Sequence, residues 1–180
     1  ALSANATAAM AFGTTTVASA TAMLSWIFFD RVNGRKVSAL GACIGAVVGL
    51  VAITPAAGFV TIPHAVFIGF ISAIVSNLMC NWKILKKVDD TLDVFACHGV
   101  GGIMGMILTA ILAQGENASL LHGGFEVFAH HMMALVMVSA FTFLGSLVLY
   151  KLTDIIIPLR VAEDSENIGL DLSQHDETCI

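Results

Sequence analysis

The sequence predicts an all-α membrane protein, with five transmembrane helices followed by a short polar tail. Three observations carry that expectation. The 180 residues are 57% hydrophobic and only 12% charged, whereas a soluble domain is about a quarter charged. Five stretches are apolar enough to cross a bilayer, and the mean hydropathy is +0.89. All eight Lys and Arg residues fall after the first, third or fifth stretch. The net charge of −5 does not indicate an acidic soluble protein. Most of the acids lie in two short stretches, residues 89–93 and 154–177.

A bilayer core of about 30 Å needs roughly 20 helical residues. Stretches near that length run over about 4–29, 38–54, 63–82, 92–113 and 126–150, and the second is short. Turn residues punctuate them: Asn33-Gly34, Pro55 with Gly58, Asp89-Asp90, and Gly123-Gly124. In lipid every backbone polar group must pair within its own segment, so the spans are helices. Gly41, Gly45 and Gly49 recur every four residues, as do Gly101 and Gly105, a spacing that lets helix backbones approach closely.

Basic residues near span ends stay on the cytoplasmic side. Arg31, Arg35 and Lys36 follow the first span, Lys83, Lys86 and Lys87 the third, and Lys151 and Arg160 the fifth. The expected arrangement is a multi-pass protein of the plasma (inner) membrane. Residues 1–151 form the membrane part with its N-terminus outside, and residues 152–180 form a cytosolic tail. The chain begins with Ala1 and lacks the basic start and cleavage site of a signal peptide, so it is expected to be a piece of something longer.

Within the spans the chemistry is sparse. Cys43, Cys80 and Cys97 sit among apolar residues and Cys179 is next to the end; with no CxxC or metal-ligand spacing they are expected to be reduced and structural. His98 is the ionisable group most clearly inside a span. An intramembrane imidazole either bonds to a neighbouring helix as a core residue or faces a water-accessible path. Burial favours its neutral form, which can donate from one nitrogen and accept at the other. His130 and His131 are adjacent, hence about 100° apart on a helix, and read as interfacial, as do His64 and His122. Asp89, Asp90 and Asp93 surround the start of the fourth span, where carboxylates cap free amides. Asp93 lies five residues before His98, about 7.5 Å along an α-helix, and at a pore mouth it would also attract a cation. The Thr54 hydroxyl is expected to bond back into its own helix. No nucleophile, catalytic carboxylate pair or ligand set appears in the spans, so neither an enzyme nor a bound metal or cofactor is expected.

Four segments together resemble the ammonium transporter family, the Amt/Mep/Rh group, nearly end to end. They are Asp89-Asp90-x-x-Asp93-Val94-Phe95-x-x-His98-Gly99-Val100-x-Gly102, "ANATAAMAF" (4–12), "LGACIGAVVGLVAITPAAGF" (40–59) and "LRVAEDSENIGLDLSQHDE" (159–177). The resemblance implies an eleven-helix subunit built from two inverted five-helix repeats, assembled as a homotrimer with one hydrophobic pore per subunit. The five spans would be helices seven to eleven. His98 matches the second of two facing pore histidines, a relay for ammonia or a proton. Val94 matches a pore-lining position, Thr54 a threonine beside the pore, and Asp93 the carboxylate at the cytoplasmic end of that helix. The first pore histidine, the gating phenylalanines and the tryptophan and serine of the outer ammonium site belong, in the family pattern, upstream of Ala1.

The tail resembles the segment that packs on a neighbouring subunit and helps receive PII-type signal proteins, through Arg160, Gly169, Leu170, Asp171 and His175. It departs from the family at Asp176, where glycine is usual, and at Thr178-Cys179-Ile180, which replace an aromatic ending. Loss of the glycine is expected to remove a tight turn. His64 is also unusual for the family. The implied function is ammonium or ammonia transport across the lipid bilayer, with a neutral gas channel of the Rh kind as a variant and no nucleic-acid partner. An ammonium sensor signalling through the tail is the alternative from another class, and a structural subunit without a pore is disfavoured by the His98 signature.

Overall fold

The computed structural model describes residues 3–82, 90, 92–114, 119–122 and 124–178. Ala1, Lys83, Lys86, Lys87, Asp89, Gly123, Cys179 and Ile180, all considered above, fall outside the described residues. The described residues are helical and contain no strand: α1 (Ala6–Val32), α2 (Ala39–Ile53), α3 (Ile62–Cys80), a π-helical turn (Phe95–Val100) that runs into α4 (Gly101–Leu112), a 3-10 turn (Leu120–His122), α5 (Phe125–Ile156), α6 (Glu163–Ile168) and α7 (Leu170–His175). The chain divides into two units, Ala1–Leu135 and Val136–Ile180.

Side chains begin the first three helices. Asn5 Oδ1 accepts from the Ala8 amide at 2.9 Å, and Ser38 Oγ accepts from Gly41 at 3.0 Å. Thr61 accepts from His64 at 3.5 Å, with Pro63 in the first turn. Each satisfies a donor that the helix itself leaves unpaired. The Asn33-Gly34 turn ends α1 with Gly34 at φ +71°.

In the first unit the core lies where α1 meets α2 and α3. Ala18 and Ala22 of α1 are fully buried. A Cβ added to Gly45 would lie 2.6 Å from Trp26 Cβ, and one on Gly49 would lie 2.5 Å from the Ala18 carbonyl oxygen. Gly69 of α3 meets that same carbonyl, and Gly105 of α4 meets the Ala52 carbonyl. Gly45, Gly49 and Gly105 therefore act as expected, Gly101 makes only ordinary contacts, and Gly69, outside any glycine repeat, is an additional close approach. Around them Ile53, Val60, Ile68, Leu108 and Leu112 form the main apolar cluster.

A buried polar clip joins the end of α1 to α3. Arg35 Nε donates to Asp30 Oδ1 at 2.7 Å, and Asn77 Nδ2 donates to the same oxygen at 2.9 Å. Arg35 Nη2 donates to Asn77 Oδ1. Asn77 is wholly buried, so its amide needs these partners.

Among the described residues four helical segments, α1, α3, Phe95–Leu112 and α5, are long and apolar enough to cross a membrane. The fifth apolar helix, α2, has 15 residues, a rise of about 22 Å, in keeping with the short second stretch. The fourth span differs from expectation. Its helix begins at Val94, not Leu92, and its first turn is π, so α-helical spacing does not apply before Gly101. α5 buries none of its residues and is apolar on all sides, a pattern suited to lipid or to other helices.

Candidate functional site

The start of the fourth span is built by two aspartates. Asp90 Oδ1 accepts from the Val94 amide and Oδ2 from the Phe95 amide, each at 2.9 Å. Asp93 stands between them at φ +53°, a left-handed conformation that Asp tolerates better than most residues. Its own amide bonds to the Asp90 carbonyl at 3.0 Å, and its carbonyl accepts from Cys97 at 2.9 Å. The carboxylate that caps the helix is thus Asp90, while Asp93 supplies the bend.

The chain then enters the π turn. Bonding to the fifth residue on widens the ring relative to an α-helix, and such turns cluster at functional sites. Ala96, Cys97 and Val100 are buried, whereas Val94, Phe95 and His98 are exposed. The turn therefore sorts its residues by face: one side packs into the bundle, and the other carries the imidazole beside two apolar side chains. Gly99 fits under the Phe95 ring, where a Cβ would lie 3.1 Å from Cδ2. Beyond the turn, Gly101 approaches Val51 and Val48 of α2 and Ser76 of α3, so the inner side of this segment is closed by two helices.

Asp93, Val94 and His98 thus share one short segment. Thr54 stands apart from it at the end of α2, where its hydroxyl donates to the Leu50 carbonyl at 2.8 Å, the bond within its own helix that was expected. Of the other histidines, the two in α5 bond within their helix or stand exposed. His131 Nδ1 contacts the Val127 carbonyl at 2.9 Å within α5, and His130 is exposed. His64 begins α3, and its Nδ1 is buried without a hydrogen-bond partner. Ser72 and Ser76, one helical turn apart on α3, likewise carry buried hydroxyls with no partner. Among the described residues no group of three or more His, Cys, Asp or Glu side chains is arranged to hold a metal ion.

The second unit contains the tail. Arg160 makes a two-pronged bond to Glu166, Nε to Oε1 at 2.8 Å and Nη2 to Oε2 at 2.9 Å. That guanidinium holds the Glu166 carboxyl below the usual glutamate range. Gly169, at φ +103°, separates α6 from α7, and Ser173 Oγ donates back to the Ser165 carbonyl at 3.1 Å. Leu170 and Asp171 open α7, His175 closes it, and the Glu177 amide bonds to the Asp171 carbonyl at 3.0 Å. The expected loss of a turn at Asp176 is corrected here. Asp176 itself adopts the left-handed conformation, φ 55° and ψ 33°, and caps α7.

Glu166 and Asp90 are the residues whose roles sequence reasoning did not separate from their acidic neighbours. For Asp90 the available signal was its position four to five residues before the first helical amides. For Glu166 it was the spacing of six from Arg160, which carries no helical regularity across the break between them.

Several helices long and apolar enough to cross a membrane mark a multi-pass membrane protein. The model of the Ammonium Transporter Family matches residues 1–180, and the chain belongs to that family. It is 41% identical over 180 residues to the ammonium transporter Amt1 of Archaeoglobus fulgidus, an alignment covering 98% of this chain and 46% of that protein. Among solved structures, Candida albicans Mep2 superposes with a TM-score of 0.83 at 32% identity, covering 95% of this chain and 40% of that one. A protein described as Sensor Amt Protein superposes with a TM-score of 0.81 at 26% identity, covering 95% and 43%. The chain spans less than half the length of these relatives.

Proposed function

We propose that this chain is the part of an ammonium transporter that supplies the imidazole relay, with His98 passing ammonia or a proton through an apolar pore. The observation that carries this reading is the π turn. It buries Ala96, Cys97 and Val100 while leaving His98 open beside Val94 and Phe95, inside the longest run of the family signature. A neutral imidazole offers one donor and one acceptor, which suits a small neutral base that carries one lone pair and several protons. Val94 and Thr54 line the same path and Asp93 stands at its cytoplasmic end. The facing histidine and the outer cation site are supplied by the half of the family fold that this chain does not span.

In this reading residues 1–151 lie in the plasma (inner) membrane with the first residue outside, and residues 152–180 are cytosolic. The subunit works as one of three identical copies. The tail, through Arg160, Gly169, Leu170, Asp171 and His175, is the surface offered to a PII-type signal protein. Whether charge crosses with ammonia separates a transporter from a neutral gas channel of the Rh kind.

The ordered tail and the likeness to the Sensor Amt Protein favour sensing as a second reading, in which pore occupancy shifts the tail. Uptake of labelled methylammonium separates the two. The full-length parent protein, expressed in cells without their own transporter, is expected to restore uptake. A folded, membrane-inserted parent that restores none overturns transport and leaves sensing.

A further inference from the structure

A hydroxyl within a helix commonly donates to the carbonyl one turn back. Thr14, Ser25, Thr54 and Thr109 do so, to Met10, Thr21, Leu50 and Gly105, at 2.7–2.9 Å. Ser19 donates instead across to the Ala46 carbonyl of α2. Ser72 and Ser76 of α3 do neither. Both are fully buried, and neither Oγ has a hydrogen-bond partner in the protein. A buried hydroxyl left in that state bears its whole desolvation penalty. Because the first unit already encloses both, a partner from elsewhere in the protein cannot reach them.

The glycines where helices cross leave no room. At Gly45, Gly49, Gly69 and Gly105 an added Cβ would meet a neighbouring atom at 2.4–2.6 Å. Gly101, directly after the π turn, is buried as well, yet a Cβ on it would stand 3.6 Å from Val51 Cγ1, 3.7 Å from Ser76 Oγ and 3.8 Å from Val48 Cγ1. The packing therefore leaves a space about the size of a methyl group, with the Ser76 hydroxyl on one side and two valines on the others. A space of that size accepts one water oxygen, which needs two to four polar partners. Ser72 supplies the second. Residues four apart on a helix hold their Cβ atoms about 5–6 Å apart, a gap that one oxygen bridges with two hydrogen bonds of about 2.8 Å. The Gly101 amide bonds to the His98 carbonyl, so this space lies directly behind the turn that presents the imidazole.

We propose that Ser72, Ser76 and Gly101 form an internal hydration site, which holds one water molecule bridging the two hydroxyls behind the His98 turn. The water accepts the proton of one hydroxyl and donates to the oxygen of the other, so each Oγ gains a partner. The site stands independently of what the pore carries.

The test uses the full-length parent protein, purified in detergent. The methyl of Gly101→Ala fits the space at ordinary contact distances, and alanine favours a helix over glycine. In a dry space that change would raise the unfolding temperature. With water bound it expels the water and strands two hydroxyls, and the unfolding temperature is expected to fall by about 1–2 °C. In a Ser72→Ala, Ser76→Ala background no hydroxyl is stranded, and Gly101→Ala is expected to raise it. No fall in the parent overturns the site. A fall of equal size in both backgrounds overturns it too, because the cost is then steric. A crystallographic map of the parent, fine enough to show ordered water, is expected to place one oxygen within about 3 Å of both hydroxyls. A map with none there overturns the proposal whatever the temperatures do.

Discussion

Among the described residues two that are not glycine hold left-handed backbones, Asp93 and Asp176, and both are aspartates at helix ends. The side chain resists this conformation, by roughly 1 kcal/mol or more for most L-residues, and aspartate tolerates it better than most. Asp176→Gly is therefore expected to stabilise the end of α7 by up to about 1 kcal/mol, read as slower amide exchange across Leu170–Glu177 in the full-length protein; faster exchange would contradict this account of the turn. A second prediction concerns Glu166. Its carboxyl titrates lower in the folded tail than in the unfolded chain because of Arg160. The stability it lends is present above the ordinary glutamate range and is lost as pH falls through the depressed folded value. Both groups of the pair are solvent-exposed to a degree, so salt screens it too. Protection of the amides across Glu163–Ile168, taken relative to the unfolded-chain rate at the same pH, should fall in acid and in high salt; a tail whose protection is indifferent to both would show that the pair contributes nothing.

At the level of elements, the Ala18 carbonyl is where α1 touches both Gly49 of α2 and Gly69 of α3. A side chain at either glycine must displace backbone, which cannot yield as a flexible side chain does. Gly69→Leu is expected to destabilise the bundle by about 1–3 kcal/mol or more, seen as a lower unfolding temperature in detergent, whereas an unchanged temperature would refute the close crossing. The glycine repeats were legible because a period of four is a one-dimensional pattern. Gly69 was not, since its partner lies some fifty residues away in sequence, and the same is true of the Asp30–Arg35–Asn77 clip. The π turn was hidden for a different reason. Apolar periodicity over 92–113 fits any helix, and the widening follows from local bonding at Asp90 and Asp93, not from hydropathy.

Across the whole chain, helix class and the order of apolar helices followed from composition alone, because lipid permits so few backbone arrangements. The candidate site was legible in a narrower sense. A histidine inside an apolar run marks itself by its desolvation penalty, but its open face, and the apolar neighbours Val94 and Phe95 on that face, depend on how the π turn packs. The chain that carries these local features belongs to the Ammonium Transporter Family. The central claim is that His98 is a working part of the pore and not a core histidine. The most direct measurement is ammonium-evoked current in proteoliposomes holding the purified full-length parent or its His98→Ala form, with potassium as the competing cation. The account predicts that the parent carries current, and that the folded variant loses it or admits potassium. A folded His98→Ala protein with the parent's current and selectivity would contradict the account.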